Sequence, residues 1–172
     1  RGPILRPLLN GLGVLVHTNA GRAPLSRAAL AQVHATTGAY CNLELSLQTG
    51  LRGSRQDLLR DPMRWLFGAE DALVVNNGAA AIMVVLHALS AGRPTLVSRG
   101  ELVEIGGSFR VPDVMAAAGA TLVEVGTTNR TWLRDYETAA ETLAEDGTPV
   151  AVVTQVHRSN FRVEGFVHTP SV

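Results

Sequence analysis

The sequence predicts an α/β domain: a mainly parallel sheet with helices on both faces. Three observations lead there. Short apolar, β-branched runs at 72–75, 94–98, 121–125 and 150–156 alternate with helical stretches, at the spacing of strands joined by crossover helices. The runs at 72–75, 94–98 and 150–156 place apolar or β-branched residues at consecutive positions, as strands covered on both faces do. Polar loops follow Val75, Ser98, Val125 and Val156, and in such sheets ligands sit beyond the carboxyl ends of the strands.

Composition narrows the class. The 172 residues are 46% hydrophobic and 17% charged with a net charge of zero, which describes a globular domain with a real core and argues against a large nucleic-acid face. A single cysteine excludes an internal disulfide and a cysteine-rich metal site, and fits a reducing, cytoplasmic setting. No apolar run approaches the roughly 20 residues of a membrane span. All 15 Lys+Arg positions are arginine, so any chemistry that needs a lysine amine must draw it from outside these residues.

In chain order, residues 1–13 read as a strand or linker leading into a domain that occupies 14–172. The polar loop 17–26 ends with Pro24 suited to the first turn of a helix over 25–37, an alanine-rich and partly buried element. Arg52 and Arg55, flanking Gly53-Ser54, form either an anion fork, because guanidinium groups match oxyanions with paired donors, or an ordinary salt-bridged loop. Ser54 is placed to cap the next helix, and Pro62 to break or kink it near Asp61, since an interior proline costs about 3 kcal/mol. Helices are expected to about Ser90, over 113–118 and over 132–145, the last from Leu133, Tyr136, Ala140 and Leu143 at helical spacing. Glu101 and Glu104 are expected to pair with Arg99 or Arg110.

The chain is organised around Val74-Val75-Asn76-Asn77-Gly78-Ala79-Ala80, read as strand, tight corner and helix start. A helix start presents unpaired N–H groups and partial positive charge, so small residues there let a phosphate approach closely. The alternative is an ordinary strand-to-helix corner that binds nothing.

Longer motifs carry a resemblance. Residues 97–115 (VSRGELVEIGGSFRVPDVM) and 124–131 (EVGTTNRT), with His17-Thr18-Asn19-Ala20-Gly21-Arg22, Arg52-Gly53-Ser54-Arg55, Asn76-Asn77 and Val156-His157-Arg158-Ser159-Asn160-Phe161, closely resemble the bacterial selenocysteine synthases, the L-seryl-tRNA(Sec) selenium transferases. The likeness covers essentially the whole chain. It implies part of the large domain of the aspartate-aminotransferase-like fold (fold type I), with pyridoxal 5'-phosphate as cofactor. It also implies conversion of seryl-tRNA(Sec) to selenocysteinyl-tRNA(Sec) with selenophosphate, through elimination of the serine hydroxyl to an aminoacrylate and addition of selenium at the β-carbon.

Carried onto this sequence, the resemblance implies that Asn77, Gly78 and Ala79 hold the cofactor phosphate and that Asn160 hydrogen-bonds the pyridoxal ring hydroxyl. Arg52 and Arg55 would face the selenium donor, with His17, Asn19 and Arg22 on a loop near the site. The Schiff-base lysine, the aspartate on the pyridine nitrogen and the tRNA-binding domain would lie outside these residues, so no catalytic residue is expected in the chain and the piece alone is expected to be inactive. A homo-oligomer with sites between subunits is implied, with no membrane, DNA or metal partner. Gly78 replaces a usual Asn, Arg158 a Thr and Phe161 a Tyr, and Pro62 enters a helix normally free of proline. The competing expectations are a related pyridoxal-phosphate lyase acting on a small amino acid or amino sugar, and a non-catalytic truncated copy.

Overall fold

The computed structural model describes residues 2–107, 109–159 and 161–170, and the chain divides into two compact units, residues 1–72 and 73–172. Among the described residues no helix is long and apolar enough to cross a membrane.

The first unit holds two helices, α1 (Arg27–Thr37) and α2 (Asp57–Phe67), and two loops closed by antiparallel bridges, His17 with Arg22 and Leu45 with Arg52. Residues 2–13 form neither strand nor helix. α1 starts two residues later than expected because Ser26, not the proline turn, caps it, its Oγ accepting the Ala29 N–H at 3.1 Å. None of its residues is fully buried, but Ala29 and Thr36 are partly so, in keeping with the expected partial burial. Nor does Pro62 break α2, which runs on to Gly68, a left-handed cap. Proline removes only the bond to the Leu58 carbonyl, one turn from the helix start, and ion pairs of Arg60 with Asp57 (3.2 Å) and Asp71 (2.9 Å) bind that first turn. Gln56, not Ser54, occupies the N-cap position; the Ser54 hydroxyl accepts the Gln56 N–H instead.

The second unit is the predicted α/β layer structure. Its elements are α3 (Gly78–Ser90), β1 (Pro94–Ser98), a 3-10 turn (Arg99–Glu101), the two-residue strands β2 (Glu104–Ile105) and β3 (Phe109–Arg110), α4 (Val111–Ala117), β4 (Thr121–Val125), α5 (Leu133–Glu145) and β5 (Val152–Thr154). The sheet is parallel throughout in the order β4-β1-β5, with Pro94 opposite Thr121 and Thr95 opposite Val152. All five residues of β1 are buried, as the uninterrupted apolar run required of a central strand.

Side chains alternate across the sheet, so Val97 joins Leu86 of α3, Val111 and Met115 of α4, Val103, Ala118 and Ala120 in one core cluster, while α5 packs on β1 and β4. α4 opens with Pro112 in its first turn, where the missing N–H removes no helical bond. Asp135 anchors the start of α5 by accepting the Trp132 N–H at 2.8 Å.

Two expectations fail here. Residues 72–75 form no strand, contrary to the expectation. Leu73, at 57%, is correspondingly exposed. β5 is shorter than residues 150–156 because its ladder with β1 spans only Thr95 to Val97.

Candidate functional site

Within the second unit, α3 and β1 are joined by a reversal of three residues, so the start of α3 lies at the end of the layer that the carboxyl terminus of β1 reaches. Asn77 caps that start. Its side chain accepts the Ala80 N–H at 2.8 Å and its carbonyl accepts the Ala81 N–H at 3.1 Å, which leaves the Gly78 and Ala79 N–H groups without a partner among the described residues. Asn77 and Gly78 are exposed, and a Cβ at Gly78 would meet nothing within 4 Å. Two free donors at the positive end of a 13-residue helix fit a phosphate group, so the residues present suit the cofactor phosphate expected there.

Three loops meet at the carboxyl end of the sheet. The Arg99–Glu101 turn leaving β1 packs so closely on the other two that a Cβ at Gly100 would lie 2.5 Å from the Thr128 carbonyl oxygen and 3.0 Å from Arg158 Nη2. Arg158 donates through Nε to the Gly100 carbonyl at 3.3 Å. Glu101, Gln155, Val156, His157, Arg158 and Thr169 line a cavity of about 360 Å³. The loop after β4 is tied down separately: Ser98 and Thr131 share a buried hydroxyl hydrogen bond of 2.6 Å, Asn129 donates to the Phe166 carbonyl at 2.6 Å, and the Trp132 and His168 rings stack 3.5 Å apart.

The acidic residues of this region pair differently from the expectation. Glu104 binds Arg110 at 2.7 Å as expected, but Arg99 binds Glu124 at 2.8 Å and Glu101 has no arginine partner among the described residues. Glu101 instead accepts the Val156 N–H at 2.9 Å. The glycine-rich, charged stretch signalled the importance of Glu101; a partner 55 residues away was not legible. Gln155 and Thr169 were missed, since neither carries a sequence signal.

Burial pushes the Tyr136 phenol above its ordinary value of 10.0, the Glu101 and Asp135 charges push it further, and a hydrogen bond to the Ser98 backbone acts in the other direction. A raised folded value means that the folded state holds the proton more tightly, so the contribution to stability is present below about pH 10 and is lost as pH rises towards the folded value. Urea melts at about pH 9 and about pH 11 are expected to show this alkaline loss, and Tyr136→Phe to reduce it.

In the first unit, Arg52 and Arg55 converge on one carboxylate. Arg52 Nη2 lies 2.8 Å from Glu44 Oε2, and Arg55 donates through Nε to Glu44 Oε1 at 2.5 Å and pairs with the same oxygen through its Nη2. The salt-bridged reading is therefore realised, yet each guanidinium has five N–H donors and most remain available on side chains 82% and 67% exposed.

His17, Asn19 and Arg22 share a tight loop in which His17 and Arg22 exchange backbone hydrogen bonds at 2.9 and 3.0 Å, and Arg22 takes a left-handed φ of 72° with its guanidinium on the Thr18 carbonyl. These three line a separate cavity of about 560 Å³ that Arg52 and Arg55 do not line. Asn160 lies outside the described residues.

The SelA family model, L-seryl-tRNA selenium transferase, matches residues 8–172. The L-seryl-tRNA(Sec) selenium transferase of Moorella thermoacetica is 52% identical over 162 residues, 94% of this chain and 33% of that protein. The proteins of the same name from Solidesulfovibrio magneticus and Desulfotalea psychrophila are 52% and 53% identical over 99% and 96% of this chain, and 35% and 34% of their own lengths. The chain thus spans about a third of the curated relatives it matches. An identity of half over nearly every residue places it plainly: the chain belongs to the L-seryl-tRNA selenium transferase family.

Proposed function

We propose that the protein to which these residues belong converts L-seryl-tRNA(Sec) to selenocysteinyl-tRNA(Sec) with selenophosphate, using pyridoxal 5'-phosphate. The match over residues 8–172 carries this reading. The exposed start of α3 supports the cofactor assignment: the Gly78 and Ala79 N–H groups would hold the phosphate, while Asn77 fixes the helix end that presents them. When bound, the cofactor supplies an electron sink for the serine α-carbon.

The remaining assignments belong to the same proposal. Asn160 hydrogen-bonds the ring hydroxyl, Arg52 and Arg55 receive the anionic selenium donor, and the loop of His17, Asn19 and Arg22 stands near the substrate. The amine that anchors the cofactor comes from residues beyond these, since none here is lysine. The working protein is a cytoplasmic homo-oligomer with its sites between subunits.

The test is reconstitution with the full-length protein. Incubated with seryl-tRNA(Sec), selenophosphate and the cofactor, it is expected to form selenocysteinyl-tRNA(Sec), to lose that activity when the cofactor is stripped and to regain it on re-addition. Turnover of a free small amino acid or amino sugar with none of seryl-tRNA(Sec) would replace this reading with the lyase. Absence of any turnover in the cofactor-loaded protein would favour a non-catalytic copy.

A further inference from the structure

Glu101 is the only charged side chain among the described residues that is buried, at 2% exposure. A carboxylate so placed is tolerated when it is paired or firmly hydrogen-bonded. No cation pairs with it among the described residues, because Arg99 is turned to Glu124 and Arg158 donates to the Gly100 carbonyl. Its hydrogen bond is the one from the Val156 N–H to Oε2, 2.9 Å long.

The place of that bond gives it meaning. The ladder between β1 and β5 ends at the pair Val97 and Thr154, because beyond Ser98 the chain turns into the Arg99–Glu101 turn and presents no further strand backbone. Two residues later the Val156 N–H needs an acceptor, and the Glu101 side chain supplies what the strand no longer can. The chain leaving β5 is thus held in register past the end of the sheet, and its next two residues are His157 and Arg158, which line the cavity beside Glu101. The turn itself packs closely on its neighbours, with no room for a side chain at Gly100 beside the Thr128 carbonyl.

We propose that Glu101 is a positioning residue: through the Val156 N–H it fixes where His157 and Arg158 stand at the cavity. Its consequence for turnover rests on the transferase reading above; its effect on the loop does not. Glu101→Leu removes the acceptor, whereas Glu101→Gln keeps a neutral one, and charge-assisted hydrogen bonds are roughly twice as strong as neutral ones.

In the full-length protein, hydrogen-exchange mass spectrometry of peptides spanning Val156 is expected to show exchange faster by about tenfold in Glu101→Leu and by about threefold in Glu101→Gln, with peptides over Leu96 and Val123 unchanged. In the selenium-transfer assay, Glu101→Leu is expected to lower kcat/KM by about tenfold, and adding Arg158→Ala to it to bring little further loss, since both changes misplace one loop.

Unchanged Val156 exchange in either variant overturns the proposal, and Glu101→Gln serves alone should the leucine variant not fold. Losses that multiply fully in the double variant overturn it as well. Faster Val156 exchange in a full-length protein that makes no selenocysteinyl-tRNA supports the placement by Glu101 and overturns only the transferase reading.

Discussion

Replacing Gly126 by alanine is expected to destabilise the protein by about 3 kcal/mol, the sum of a strained backbone and an overpacked contact. Gly126 follows the last residue of β4 with a φ of +68°, a region that costs an L side chain about 1 kcal/mol or more. The larger part is steric. A Cβ there would stand 2.4 Å from Thr131 Oγ1 and 2.9 Å from Thr131 Cα.

Thr131 cannot yield cheaply. It is 2% exposed, its hydroxyl is bonded to Ser98 at 2.6 Å and its N–H to the His168 carbonyl at 3.0 Å, so moving it would disturb the exits of both β1 and β4. Gly147 separates the two contributions: its φ is +74° but a Cβ would meet nothing within 4 Å, so Gly147→Ala is expected to cost only about 1 kcal/mol. Equilibrium urea unfolding of the two full-length variants measures the difference. Equal losses would mean that strain alone acts and that the loop after β4 repacks freely.

What could be read from the sequence was what local chemistry decides. β1 and β4 matched their expected ranges, and α5 began one residue later, because an apolar, β-branched run and a period of 3.6 are properties of the segment itself. The start of α3 was legible for the same reason, since Asn77 followed by small residues describes a capped helix end wherever it occurs.

The misses were non-local. Residues 72–75 have a strand's composition but form none, since strand formation depends on pairing across the fold, which the segment's own composition does not encode. Pro62 pointed to a break or kink from its propensity, yet it sits only one turn from the helix start, where it removes a single backbone bond, and the helix continues to its Gly68 cap. Glu101 was expected to take a nearby arginine, and burial together with the end of the β1 ladder gave it the backbone of Val156 instead.

Arg52→Ala and Arg55→Ala in the full-length protein are each expected to lower kcat/KM for selenophosphate by about a hundredfold, through a rise in its KM. A hydrogen bond to a charged group is worth roughly 1.5 to 3 kcal/mol, and 1.4 kcal/mol is a factor of ten. Two arginines share one acid, so the cluster keeps a net positive charge. Glu44 engages each guanidinium through one of its oxygens, which orients both while leaving a net positive charge and unused donors on exposed side chains.

Exposed pairs of this kind contribute at most about 1 kcal/mol to stability, so the arginine variants are expected to fold normally and their loss to be one of binding. Lysine is expected to rescue neither position, because a single ammonium cannot offer paired, planar donors to an oxyanion. Glu44→Ala is expected to fall between wild type and the arginine variants, as the donors survive but their orientation does not. Initial rates at saturating seryl-tRNA(Sec) and varied selenophosphate decide it: an unchanged selenophosphate KM in both arginine variants would remove the fork from the donor site, and a rise confined to the KM for the tRNA would reassign it to the phosphates of the RNA backbone.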